Sequence, residues 1–151
     1  MENFNSVNDI LDFAIQAEQD AVEFYTKLSQ HSSNSQMQQV FSDFAHEEMG
    51  HKARLLEIKE TGILETSHEK VMDMKMADYI AHANISPDMT YADALVVAMK
   101  KEKAAFKLYL ALSQRMQDPK MKELFLSLAQ EESKHKLRFE LEYDENVLKE
   151  N

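Results

Sequence analysis

The chain reads as four long stretches of helical periodicity separated by short polar breaks. Over residues 10–30 the apolar positions Leu11, Ala14, Ile15, Val22, Tyr25 and Leu28 share one helical face, as expected of a helix burying a single stripe. Ser6, Val7, Asn8 and Asp9 precede it as a capping box with Asp in place of Glu. Residues 31–35 are polar, and Asn34 or Ser35 can cap the next helix. Met37, Val40, Phe41, Phe44, His51 and Leu55 predict this second helix over residues 36–59, closed by Thr61 and Gly62. A second capping box, Thr90 to Asp93, starts a third helix that runs to about residue 114. Asp118 followed by Pro119 opens a fourth, ending near residue 143, and residues 144–151 are expected to fray.

The connection over about residues 62–89 is too long for a simple turn between neighbouring helices. At about 3.3 Å per extended residue it can run the length of a bundle, with room for a short helix near residues 72–83. Two helical hairpins joined by one long crossover predict an all-α four-helix bundle, forming a single domain over residues 1–151.

Composition sharpens this picture. Two glycines and two prolines in 151 residues are too few for all-β or nucleotide-binding α/β folds. The 27 acidic and 17 basic residues leave a net charge of −10, which argues against nucleic acid and against an anionic membrane surface. With no cysteine, disulfides, thiolate zinc sites and thiol nucleophiles are excluded. The N-terminal segment has no basic region followed by an apolar run, so no signal peptide is expected. No apolar run approaches the roughly 20 residues of a membrane span. A cytoplasmic protein is the expectation.

The two halves repeat. Adding 84 to each number aligns Asp9, Leu11, Ala14, Glu18, Ala21, Tyr25, Leu28, Ser29 and Gln30 with identical residues from Asp93 to Gln114. It also aligns Met37, Phe41, Ala45, Glu47, Glu48, His51, Lys52 and Arg54 with identical residues from Met121 to Arg138. The helical hairpin is therefore read as duplicated.

The duplication carries polar residues with it. Glu18 and Glu102 each lie on an apolar helix face, with small and aromatic residues one and two turns away. Glu48 with His51, and Glu132 with His135, form Glu-x-x-His pairs whose heads share one helix face. A single such pair arises by chance, and Glu65 with His68 in the crossover is one. Two pairs in repeat register, each 30 residues after an inward Glu, point instead to a dinuclear metal site. Four carboxylates meeting in a helical core would repel one another and lose their hydration. Two divalent cations would neutralise them, and carboxylate with imidazole suits iron or manganese.

The segments AEQDAVEFY, FAHEEMGHKARL, KEKAAFKLY and LAQEESKHKLRF resemble the four helices of rubrerythrin-type ferritin-like proteins, and the resemblance covers residues 8–143. It implies a ferritin-like bundle with terminal carboxylates at Glu18 and Glu102 and bridging carboxylates at Glu48 and Glu132. It also implies one terminal histidine per metal, at His51 and His135. It implies two iron ions, with manganese as an option, and an oxidoreductase that reduces hydrogen peroxide or dioxygen. The alternative it implies is a ferritin-like ferroxidase that oxidises and stores iron.

The chain departs from the family in two ways. Most rubrerythrins carry a rubredoxin domain whose iron needs four cysteines, and there are none here. Electrons would come from an external donor such as a rubredoxin-like protein. The extra glutamate that rubrerythrins place three residues after the third-helix ligand is Ala105 here, and its repeat mate is Ala21.

Tyr25 and Tyr109, two turns beyond the terminal glutamates, are candidates to hydrogen-bond the ligand carboxylates or to relay electrons. A buried tyrosine also finds polar partners for purely structural reasons. Met49 stands where bacterioferritins bring a methionine to haem, though methionine is common interface filler. A cluster of Met72, Met74, Met76, Tyr79 and Ile80 is expected to pack on the bundle or on a dimer partner. A homodimer is the expected assembly. His31, His46, His68 and His82 lack repeat mates and are expected to face solvent.

Overall fold

The computed structural model describes residues 4, 6–62, 73–81 and 89–148. The main helices are α1 (Val7–His31), α2 (Ser35–Thr61), α3 (Tyr91–Arg115) and α4 (Pro119–Tyr143). Each begins where the sequence supplies a cap. Ser6 Oγ accepts from the Asp9 amide at 3.1 Å. Asn34 Oδ1 accepts from the Gln36 and Met37 amides at 2.9 and 3.1 Å. Thr90 and Asp93 close a reciprocal capping box, and Asp118 caps α4 with Pro119 in its first turn. Gly62, at φ 66°, ends α2 in the left-handed conformation that glycine adopts without a Cβ clash.

The chain forms two compact units, Met1–Met76 and Ala77–Asn151. In the first, α1 and α2 pair, and Ile10, Leu11, Ala14, Tyr25, Phe41 and Leu55 are fully enclosed. Tyr25 meets Phe44 edge-on, their ring centroids 6.4 Å apart. Phe4 packs against Phe13, and its amide donates to the Met74 carbonyl. In the second unit α3 pairs with α4. Leu95, Ala98, Leu112, Phe125, Ala129 and Phe139 are enclosed, and Tyr109 stacks on Phe125.

Two local expectations change. Residues 144–148 do not fray but continue α4 as a wider π-turn, Asp144–Leu148. Of the short helix expected near residues 72–83, the described portion is a single 3₁₀ turn, Met76–Tyr79, in which Met76 and Tyr79 are half-buried. Met74, just before it, is buried. Met72, His68, His82 and the Glu65 pair lie outside the described residues. His31 and His46 face solvent as expected.

Candidate metal centre

Each hairpin gathers the same three side chains. In the first unit, Glu18 on α1 and Glu48 and His51 on α2 are at most 2% exposed. Two elements bring them together: the single turn separating Glu48 from His51, and the hairpin that lays α1 alongside. Ala14, Ala21 and Ala45 keep the surrounding helix faces slim and apolar. His51 Nδ1 stands 3.3 Å from Glu48 Oε1 and 3.5 Å from Glu18 Oε2. One donor atom from each of the three side chains lies within 4.8 Å of the others.

The electrostatics of this triad call for a cation. Burial alone would lower the His51 pKa. Hydrogen bonds and negative charge from Glu18 and Glu48 outweigh that, and the pKa rises from 6.5 to about 10. The imidazole thus holds a proton between two carboxylates unless another cation takes its place. An Nδ1 lone pair and two carboxylate oxygens, converging in an apolar enclosure, are the donor set of a divalent transition-metal ion.

The second unit repeats the arrangement. Glu102 on α3 and Glu132 and His135 on α4 are at most 3% exposed. His135 Nδ1 stands 3.6 Å from Glu102 Oε1. One donor atom from each of the three again lies within 4.8 Å of the others. The six residues singled out in the sequence thus form one triad in each unit. Tyr25 and Tyr109, two turns from the terminal glutamates, are 0% and 1% exposed. Met49, next to Glu48, is 45% exposed and lies outside the triad.

One buried charged group was not singled out from the sequence. Glu142, at 5% exposure, accepts a 2.8 Å hydrogen bond from Tyr91 Oη and faces Arg138 Nη1 at 3.7 Å. Burial, then the bond to Glu142, pushes the Tyr91 pKa upward. The repeat mates of Tyr91 and Glu142 are Val7 and Ile58, both buried. A polar pair in one hairpin has thus taken the place of an apolar pair in the other. That joint change at offset 84 was the available signal.

Comparison with known proteins agrees with this geometry. The model of the rubrerythrin family matches residues 9–91 and 93–151. The crystal structure of a Thermotoga maritima protein, described as a candidate ferritin-like diiron-carboxylate protein, superposes with a TM-score of 0.76 at 20% identity. The match covers 97% of this chain and 100% of that one. The fold is therefore the all-α ferritin-like four-helix bundle. No curated protein sequence gives a significant match. Among the described residues, no helix is long and apolar enough to cross a membrane.

Proposed function

The chain belongs to the rubrerythrin family, and from that premise we propose that its two triads together hold a dinuclear iron centre that reduces hydrogen peroxide. The observation that carries this reading is the pair of buried Glu, Glu and His triads, one per hairpin. Glu18, Glu48 and His51 would hold one metal, and Glu102, Glu132 and His135 the other. Iron held there would supply, in passing from ferrous to ferric at both positions, the two electrons that with two protons would convert one H2O2 into two waters.

The chain's own residues prepare the site. The four glutamates balance the charge of two divalent ions. His51 gives up the Nδ1 proton that it holds between Glu18 and Glu48 when a metal takes that position. Ala14, Ala21, Ala45, Ala98 and Ala129 give the helix faces around the triads an apolar lining. In this reading Tyr25 and Tyr109 hydrogen-bond ligand carboxylates and hold their orientation. The chain acts as one domain, dimerises and draws electrons from a separate carrier.

Anaerobic loading with two ferrous ions per chain, followed by stopped-flow mixing, tests the proposal. Oxidation several-fold faster by peroxide than by dioxygen supports it. Equal or faster oxidation by dioxygen sinks the peroxide reading and leaves dioxygen reduction or the second reading, iron oxidation. One observation favours that second reading: Ala105 occupies the place of the family's additional glutamate, leaving a plain set of four Glu and two His.

A further inference from the structure

The two hairpins share their candidate ligands but not their outer faces. On α1 the outward positions around Glu18 are Gln16, Gln19, Asp20 and Glu23. Gln16 Nε2 donates to Asp20 Oδ1 at 2.9 Å, Gln19 Nε2 to Glu23 Oε1 at 3.4 Å, and Lys52 Nζ to Gln19 Oε1 at 2.7 Å. At the same positions 84 residues on, α3 carries Lys100, Lys103, Ala104 and Lys107. The three lysines are exposed, and their spacing puts them on one face. They border an open groove of about 410 Å³ whose other walls are Ala77, Asp78, Ile80, Ala81 and Ala104. One copy of the duplicated face therefore carries two acidic groups. The other carries three ammonium groups, in a chain of net charge −10.

We propose that this groove docks the electron donor, a small one-electron carrier protein with an acidic face. The inference rests on the redox reading above. The lysines span seven residues, about 10 Å of helix, so they match a broad acidic patch rather than one small anion. None of them is buried, whereas a small-anion site encloses its ligand with converging donors. The alanines and Ile80 supply apolar contact between the charges. Small contacts steered by complementary charge suit brief redox encounters. The placement also fits. Lys103 adjoins Glu102 in sequence, about 100° round α3, so the groove is borne by the same helix as a candidate ligand. Two carriers, each oxidised by one electron, provide the two electrons that one H2O2 consumes with two protons.

The test uses the full, iron-loaded chain with a reduced rubredoxin as the acidic carrier and cytochrome c as the basic control. Titration calorimetry should show rubredoxin binding that strengthens as salt is lowered, and no such binding of cytochrome c. The triple variant K100E/K103E/K107E should bind rubredoxin about tenfold more weakly or worse. A charge-matched control, K27E/K120E/K122E, should bind close to the wild-type value. Iron content and reduction by dithionite should be unchanged in both, which separates docking from loss of the centre. Failure of the wild type to bind rubredoxin, or an equal loss in both triple variants, overturns the proposal. Inorganic phosphate binding with the same lysine dependence would reassign the groove to a small anion. Conversion of a wild-type dimer to monomer in the groove variant alone would reassign it to a second copy of the chain. If peroxide does not oxidise the loaded protein but the lysine-dependent binding persists, the peroxidase reading falls and the docking site stands.

Discussion

A buried carboxylate loses its hydration, and it persists in a core only when something of opposite charge stands close. Glu18 and Glu48 share His51 in that way when no metal is bound. The folded chain then holds a proton on an imidazole whose pKa is about 10, whereas the unfolded chain releases it near 6.5. Between these values the folded state binds the extra proton, so raising pH favours unfolding. The contribution is complete below about pH 6.5 and is lost as pH climbs through about 10. Thermal unfolding of chelator-treated protein should therefore give a Tm that falls across this window more steeply in the wild type than in His51→Gln. Parallel slopes would mean that the ion pair carries none of the stability. At the same scale, Glu48→Ala with Glu132→Ala should abolish uptake of both irons, read by metal analysis. Retention of two irons per chain would show that the site lies elsewhere.

At the scale of the element, caps place the ligands by fixing where each helix begins. Thr90 Oγ1 accepts from the Asp93 amide at 3.1 Å, and the Thr90 amide donates back to Asp93 Oδ2 at 3.3 Å. Thr90→Ala removes half of this box and should cost about 1 kcal/mol, seen as a lower denaturant midpoint at unchanged m. Glu102 lies three turns inside α3, so iron content should hold. The starts of all four helices could be read from the sequence because a cap is local chemistry: side-chain oxygen, exposed amide, fixed spacing. The end of α4 could not. Residues 144–148 hold their turn through contacts with α4, and composition does not encode these. The candidate ligands were legible for a different reason. One Glu-x-x-His is indistinguishable from chance, but the duplication supplied a second copy in register. Glu142 is not legible in that way, because it lies where the halves differ: its repeat mate is the apolar Ile58.

At the scale of the whole molecule, the candidate site sets metal-free and metal-bound stability against each other. If four carboxylates converge as proposed, the chain without metal folds against their mutual repulsion, relieved only by protons. With metal, the same carboxylates become the source of stabilisation, because ligands that bind the folded state alone raise its stability by mass action. Replacing Glu132 by the isosteric, neutral Gln should therefore act with opposite signs in the two states. The Tm of chelator-treated E132Q should exceed that of chelator-treated wild type. The Tm of E132Q in excess ferrous ion, measured anaerobically, should fall below that of the loaded wild type. Ordinary loss of packing would lower both values. A surface glutamate such as Glu57, exposed on α2, should leave both nearly unchanged when replaced by Gln. The crossing of the two effects thus identifies a carboxylate kept for metal at the expense of the metal-free fold. A substitution that lowered both Tm values equally would assign Glu132 to the packing of α4 instead.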